Sequence, residues 1–302
     1  MRVVVLGAGA VGSFVGALLS RRHEVTLVAR RAHAEAVAAA GLRVTGGTDL
    51  RSKPNAVISV AQAPPADLVL LTTKAYDTER ALAEASPLLV SRPFVLSMQN
   101  GLSNLDLVEE AVGPSRALAA VTTHGVTFVA PGHVEHAGAG YTRLGSRGAP
   151  RDEVARLADE LSACGLATEP VDSIDAELWA KAIVNAGINP VAAIAGLPNG
   201  ALLSDPELQG AMEAACREAI AVATAARAPL PEDDLLERAR ITAERTAANK
   251  CSMLQDLERG RRTEIDAING RIVALGAQHS VPTPVNATLL ALVHGIERTT
   301  RY

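Results

Sequence analysis

The run Val3-Val-Val-Leu-Gly7-Ala-Gly9-Ala-Val-Gly12 decides how the first half of the chain folds. It opens with β-branched and aliphatic residues, which are typical of a strand buried on both faces, and continues into the spacing G-x-G-x-x-G. A helical pattern follows over residues 10–22, and a second strand pattern covers residues 24–29. A glycine-rich turn between a strand and a helix, within about thirty residues of a second strand, is the context of a dinucleotide-binding βαβ unit.

Each glycine of this turn has a separate physical reason. Gly7 permits the tight turn, Gly9 lets a pyrophosphate approach the backbone, and Gly12 lets the helix pack closely on the strand. The free N–H groups and the positive dipole end of the helix favour phosphate. We therefore predict that a dinucleotide binds along the turn, which consists of Gly7, Ala8, Gly9, Ala10, Val11 and Gly12.

The end of the second strand indicates which dinucleotide binds. An NAD site usually has Asp or Glu there, which accepts a hydrogen bond from the ribose 2′-hydroxyl, whereas this chain has Arg30 and Arg31. A guanidinium matches the 2′-phosphate of NADP in charge and in fork geometry. We predict NADP(H) as the cofactor and Arg30 as the main phosphate contact. Arg31 either shares that contact or is a solvated residue at a helix start.

Further strand patterns in the first half end in polar residues. Residues 67–73 lead to Lys74, and residues 93–98 lead to Gln99-Asn100-Gly101. Ligand-binding groups of open α/β sheets lie just beyond the carboxyl ends of strands, so Lys74 and Asn100 are candidate contacts; Asn-Gly is also a common turn signal. We interpret residues 42–60 as a hairpin insertion and residues 117–145 as short strands.

The second half has only helical patterns, over residues 175–194, 207–227, 232–249, 262–278 and 286–298. We therefore predict an α/β fold with a Rossmann-type dinucleotide-binding domain over residues 1–170. An all-helical domain is predicted over residues 171–302.

The first of these helices carries Lys181, Asn185 and Asn189 at i, i+4 and i+8, which places them on one face. Burying a cation and two amides costs free energy unless a partner pairs with them. One interpretation is a helix that directs these groups at a polar ligand. The other is a helix whose solvent-facing side carries lysine and asparagine.

A second polar cluster follows at Glu264, Asp266 and Asn269, preceded by Ser252-Met-Leu-Gln-Asp256. Near the lysine helix, these three residues could supply an acid and polar donors. Glu264 is equally consistent with an exposed acid at a helix N-terminus beside Arg261 and Arg262. Cys251 is interpreted as a packed thiol rather than a nucleophile.

Composition excludes several classes of protein. The net charge of −4 provides no basic footprint for nucleic acid or anionic membrane, and aromatic residues make up only 2%. Cys164, Cys216 and Cys251 are too few and too widely spaced for a disulfide framework or a zinc site. No signal peptide and no uninterrupted apolar run of membrane-spanning length is evident. We expect a cytoplasmic protein without a metal, a nucleic-acid partner or a membrane anchor.

Several longer blocks carry a family resemblance: Leu71-Thr-Thr-Lys74, Gln99-Asn-Gly101, Val121-Thr-Thr-His124, Glu177 to Pro190, Pro198-Asn-Gly200 and Ser252 to Gly270. With them the chain resembles the ketopantoate reductase (2-dehydropantoate 2-reductase) family over nearly its whole length. The resemblance implies a helical C-terminal domain like that of 6-phosphogluconate dehydrogenase. It also implies NADPH-dependent reduction of 2-dehydropantoate to (R)-pantoate, a step towards pantothenate and coenzyme A.

The resemblance also implies residue roles. Lys181 matches the catalytic lysine and proton donor, and we count Glu264 as catalytic with it. The substrate contacts it implies are Asn100, Lys181, Asn185, Asn189, Asn199 and Ser252. To the glycine turn and Arg30 it adds cofactor contacts at Lys74, Asn100, Val126 and Glu264.

Two other functions stay open at this stage. One is a reductase of another 2-oxo acid, since related enzymes share parts of the pattern. The other is a non-enzymatic NADP sensor, which needs the glycine turn and Arg30 but has no use for Lys181 with Asn185 and Asn189. The sequence does not determine the oligomeric state, for which a homodimer is one option.

Overall fold

The computed structural model describes residues 1–299 and separates into two compact units. Unit 1 comprises Met1–Gln99 and Ser103–Ile174, and unit 2 comprises Asn100–Leu102 and the chain from Asp175 on. The division along the chain lies shortly after residue 170. The short segment Asn100–Leu102 is embedded in the first half of the sequence but belongs with the helices.

Unit 1 is built on strands numbered here in chain order. They are β1 (Arg2–Leu6), β2 (Glu24–Val28), β3 (Leu42–Gly46), β4 (Leu50–Ser52), β5 (Asn55–Val57), β6 (Leu68–Leu71), β7 (Phe94–Ser97), β8 (Ala117–Thr122), β9 (Gly125–Ala130), β10 (His133–Gly138), β11 (Thr142–Gly145) and β12 (Thr168–Pro170). The helices of unit 1 are α1 (Ala10–Leu19), α2 (Arg31–Ala40), α3 (Thr78–Glu84), α4 (Ser86–Leu89), α5 (Asn104–Val112) and α6 (Arg151–Ala163).

The main sheet has the strand order β12-β11-β8-β7-β6-β1-β2-β5. All neighbouring strands are parallel except β11, which runs antiparallel to β8. Val3 to Leu6 of β1 are at most 2% exposed, as expected for a central strand covered on both faces. The predicted βαβ unit at the start of the chain, and with it the Rossmann-type fold, is confirmed.

A smaller sheet has the order β4-β3-β10-β9. β3 and β4 form the predicted hairpin, but β5 leaves it and pairs in parallel with β2 in the main sheet. Interpreting all of residues 42–60 as one hairpin was therefore wrong. A strand of only Asn55–Val57 has no readable periodicity, and its partner lies far away in sequence.

Unit 2 contains only helices and the loops that connect them over residues 175–299, which confirms the predicted all-helical character of the second half. Its helices are α7 (Ile174–Ala195), α8 (Ala201–Ser204), α9 (Pro206–Ala225), α10 (Leu235–Arg245), α11 (Ser252–Glu258), α12 (Arg271–Gln278) and α13 (Pro284–Thr299). A π-helical turn, Asp266–Gly270, precedes α12 directly.

The helix predicted from residue 262 starts later than expected. The hydroxyl of Thr263 accepts a hydrogen bond from the N–H of Ile265 and donates one to Glu297. This side-chain bonding competes with the helical backbone pattern, so the helical turns begin only at Asp266.

α7 is long and apolar enough, by length and composition alone, to cross a membrane. The sequence-based expectation concerned an uninterrupted apolar run, and Lys181, Asn185 and Asn189 interrupt the apolar residues of this helix. However, 72% of its most apolar window is buried inside the structure, as in the core helix of a soluble protein. Pro190 lies inside this helix.

Candidate active site

The glycine turn of unit 1 is shaped to receive a pyrophosphate. Gly7 has a φ of +89°, and a Cβ added there would lie 2.7 Å from the backbone nitrogen of Thr73. A Cβ at Gly12 would lie 2.8 Å from the carbonyl oxygen of Gly7, so α1 packs closely against the turn. Gly9 is exposed, and its nearest neighbour would be 3.9 Å away. The turn is therefore closely packed at Gly7 and Gly12 and open to solvent at Gly9, next to the N-terminal N–H groups of α1.

The two arginines after β2 differ in their surroundings. Arg31 pairs with Glu35 at 3.5 Å along α2. Arg30 is the exposed residue directly before α2, and among residues 1–299 it forms no ion pair. A guanidinium without an acidic partner is the better fit to an incoming phosphate, so Arg30 and the glycine turn together suit a dinucleotide.

A buried amide holds the loop that leads to Lys74. Gln99 donates from Nε2 to the carbonyl oxygen of Thr73 at 2.9 Å and to the hydroxyl of Thr78 at 2.9 Å. The hydroxyl of Thr72 donates to the carbonyl oxygen of Gly7 at 3.0 Å. These bonds fix the loop before Lys74 against the glycine turn. Sequence reasoning assigned no role to Gln99, although a polar residue directly after a buried strand is a usable signal.

The remaining predicted cofactor residues of unit 1 are less enclosed. Lys74 is half-buried at the start of a short 3₁₀ turn, Ala75–Asp77. Val126 lies on β9 and packs at the margin of the hydrophobic core. Their cofactor contacts stay predictions.

Unit 2 brings together Lys181, Glu264 and Asn100. Burial lowers the pKa of Lys181 to about 8, while the negative charge of Glu264 acts in the opposite direction. Glu264 is 7% exposed, and its Oε2 accepts a hydrogen bond from Nδ2 of Asn100 at 3.1 Å. Of the two interpretations of Glu264, the exposed helix-start acid is thus excluded. A lysine whose pKa lies near neutrality beside a carboxylate can exchange a proton at ordinary pH.

Asp266, from the same segment, lies outside this group. It is exposed and binds Arg262 at 3.0 Å and His294 at 2.9 Å. The sequence-based suggestion that it could supply an acid near Lys181 was wrong, because its side chain is engaged on the surface.

The predicted substrate amides lie along α7 and beside it. Asn185 is half-buried and Asn189 is buried, and the carbonyl oxygen of Asn189 accepts from the thiol of Cys251 at 3.4 Å. Ser252 is the exposed first residue of α11, directly after Cys251. Because Cys251 contacts α7, Ser252 lies close to the Asn189 end of that helix. Burial raises the pKa of the Cys251 thiol to about 11, in agreement with a packed rather than a nucleophilic thiol.

Asn199 is connected to the chain segment that leads to Ser252. Its backbone N–H donates to the carbonyl oxygen of Asn249 at 3.0 Å, and its Nδ2 donates to the hydroxyl of Thr246 at 2.8 Å. The amide nitrogen of Asn199 is thus already engaged, and its substrate role stays a prediction. The fold and these groups define a class of protein: an oxidoreductase with a Rossmann-type unit for a nicotinamide dinucleotide and a helical unit that carries a lysine and a carboxylate.

Comparison with known proteins specifies this class further. The family model described as ketopantoate reductase PanE/ApbA matches residues 3–148, and the model of its C-terminal part matches residues 173–297. The chain belongs to the ketopantoate reductase family. It is 40% identical to the 2-dehydropantoate 2-reductase of Archaeoglobus fulgidus and 39% identical to that of Pyrococcus horikoshii, with 98% of each chain covered.

Solved structures agree with this assignment. A PanE/ApbA family ketopantoate reductase from Ralstonia eutropha is 38% identical, with a TM-score of 0.92 and all of both chains covered. A D-mandelate dehydrogenase in a ternary structure with NADH and anilino(oxo)acetate is 28% identical, with a TM-score of 0.94 and all of both chains covered. The family therefore comprises enzymes that use a nicotinamide cofactor on a small-molecule substrate.

Proposed function

We propose that this protein reduces 2-dehydropantoate to (R)-pantoate with NADPH, a step towards pantothenate and coenzyme A. The observation that carries the proposal is Lys181, a half-buried lysine whose pKa is lowered to about 8 beside the carboxylate of Glu264. Relatives that are 39–40% identical over nearly the full chain are named for this reaction, which supports the substrate assignment.

Lys181 is the proton donor in this proposal. When bound, NADPH supplies the hydride that reduces the keto group. The ammonium of Lys181 stabilises the negative charge that develops on the keto oxygen and then donates its proton to it. Glu264 keeps more of Lys181 protonated near neutral pH, and Asn100 orients Glu264 through its 3.1 Å hydrogen bond.

Four polar side chains are proposed to bind the rest of the substrate: Asn185, Asn189, Asn199 and Ser252. They add no charge, so they can orient the carboxylate and the terminal hydroxyl of 2-dehydropantoate without opposing Lys181. Amide and hydroxyl groups discriminate strongly against a substrate that lacks the group they bind, since they are then left unpaired.

A second candidate is a reductase for a different 2-oxo acid. The similarity to D-mandelate dehydrogenase supports it, because the TM-score is as high as for the ketopantoate reductase although the identity is lower. A non-enzymatic NADP sensor has no support of this kind, since it would not need Lys181 beside Glu264.

A comparison of substrates tests the proposal. We expect the highest kcat/KM with 2-dehydropantoate, measured by NADPH oxidation. The matched control is 3,3-dimethyl-2-oxobutanoate, which lacks only the terminal hydroxyl and is expected to be worse by about tenfold or more. Higher kcat/KM for phenylglyoxylate, pyruvate or 2-oxoisovalerate would favour the second candidate. No turnover of any 2-oxo acid would contradict both.

The pH dependence of kcat provides a further prediction. Because only the ammonium form of Lys181 can donate a proton, kcat for the reduction is highest below about pH 8 and falls as the pH rises through that value. Glu264→Gln removes the charge that raises the pKa of Lys181, so the midpoint of this fall should move to lower pH.

The matched control for this experiment is Asp266→Asn, which removes an exposed carboxylate from the same segment. Its midpoint should stay at the wild-type value. An equal shift in both variants would mean that general surface charge, rather than Glu264, sets the pKa of Lys181.

We also propose that the protein is soluble and acts in the cytoplasm. The three cysteines are free and buried, which suits a reducing compartment. A homodimer stays a hypothesis, which light scattering coupled to size-exclusion chromatography tests.

A further inference from the structure

The inference begins at Pro190 inside α7. Proline has no backbone N–H, so the carbonyl oxygen four residues earlier, that of Ala186, loses its helical donor. Ala186 is 0% exposed. A buried carbonyl without a donor costs free energy, so another group is needed to satisfy it.

The side chain of Asn269 supplies that donor. Its Nδ2 lies 3.0 Å from the carbonyl oxygen of Ala186. The same nitrogen donates at 2.9 Å to Oδ1 of Asn286, so both amide hydrogens have acceptors. Asn286 in turn donates to the carbonyl oxygen of Ala215 at 3.0 Å and to Glu218 at 2.8 Å. Asn269 therefore attaches α7 to a polar network that includes α13 and α9.

Asn269 belongs to the segment that also carries Glu264. It lies in the π-helical turn Asp266–Gly270, where the N–H of Gly270 bonds to the carbonyl oxygen of Ile265 at 2.9 Å. Single π-turns are rare and are frequently found at functional sites. The π-turn Asp266–Gly270 directs the fully buried amide of Asn269 at α7, one turn beyond Lys181. Glu264 of the same segment raises the pKa of Lys181 itself.

We propose that Asn269 is a positioning residue, which replaces the N–H that Pro190 lacks and so holds α7 in register with the segment that carries Glu264. Its consequence for catalysis rests on the proposed function. Asn269 acts through α7 and Glu264, so its loss should misplace Lys181 relative to the substrate without affecting cofactor binding by unit 1.

Two variants and their combination test this role. Asn269→Leu keeps the approximate volume and removes the donor, and kcat should fall by about tenfold or more with the KM for NADPH nearly unchanged. Pro190→Ala returns an N–H to the carbonyl oxygen of Ala186. The double variant should therefore recover most of the loss, whereas equal losses in both backgrounds would overturn the proposal.

Hydrogen–deuterium exchange provides a readout that does not depend on the substrate. The peptide over residues 183–195 should exchange faster in Asn269→Leu and return towards wild-type rates in the double variant. Unchanged exchange in Asn269→Leu would overturn the proposal. Absence of turnover in the wild type would instead overturn the proposed function, and the exchange result would still decide the role of Asn269.

Glu213→Ala is the control for general loss of stability. Glu213 is buried in unit 2, and its side chain binds Gln209, Arg217 and Arg240 rather than Asn269 or the carbonyl oxygen of Ala186. Glu213→Ala should lower the Tm and leave both kcat and the exchange of residues 183–195 unchanged.

Asn269→Leu could also fail to fold. In that case the double variant with Pro190→Ala is expected to fold again. Asn269→Ser, which retains a donor, is expected to fold and to show a smaller loss of kcat. Failure of both to improve on Asn269→Leu would contradict the proposal.

Discussion

Lys181→Ala is expected to lower kcat for reduction of 2-dehydropantoate by about two or more powers of ten, the usual scale for a lost general acid. The substitution removes both the charge that stabilises the developing oxyanion and the proton that completes the alcohol. The Kd for NADPH should barely change, because the glycine turn and Arg30 lie in unit 1. Stopped-flow turnover and cofactor fluorescence measure the two quantities separately.

Lys181→Arg separates the charge from the proton. Arginine keeps a cation but has no usable proton near neutral pH, and its planar guanidinium has a different shape. We expect kcat to stay low and the fall of activity near pH 8 to disappear, since the group that titrates at about 8 is gone. Near-normal turnover in Lys181→Arg would show that charge alone suffices. Near-normal turnover in Lys181→Ala would make α7 a scaffold only.

Arg30→Ala should raise the KM for NADPH by about tenfold to a hundredfold, because charge-assisted hydrogen bonds contribute roughly 1.5–3 kcal/mol. The KM for NADH should stay nearly constant, since NADH has no 2′-phosphate. The measurement is a pair of saturation curves at fixed 2-dehydropantoate, one for each cofactor.

Arg31→Ala is the matched control, because Arg31 is already paired with Glu35 along α2. A smaller effect on NADPH is expected there. Equal losses with NADPH and NADH in Arg30→Ala would remove Arg30 from the phosphate role, and a larger effect in Arg31→Ala would transfer that role to its neighbour.

The parts of the fold that sequence reasoning predicted are those with local signals. The run from Val3 to Gly12 combines a buried strand, a glycine spacing and a helix start, and the βαβ unit follows from it. The helical periodicity of residues 175–194 likewise matches α7. In both cases the spacing of apolar residues indicates which side chains are buried in the packed structure.

Features that depend on distant pairing could not be predicted in the same way. β3 pairs in parallel with β10, which lies far along the chain, and nothing local in Leu42–Gly46 identifies that partner. The π-helical turn has no compositional signature, so the inward direction of Asn269 and the outward direction of Asp266 were not foreseeable. The sequence around Glu264 left two interpretations of its role open, and only its hydrogen bond to Asn100 decided between them.

The assignment of Asn100–Leu102 to unit 2 has a consequence for dissecting this protein into fragments. A polypeptide that starts at Asp175 would contain every helix of the second unit but not the amide that binds Glu264. It would also lack Gly101, which approaches the backbone of Ala267 so closely that an added Cβ would lie 2.9 Å from its carbonyl oxygen. The helical half is thus incomplete as a contiguous gene segment, and a shuffled or truncated version would need the loop after β7 to be supplied with it.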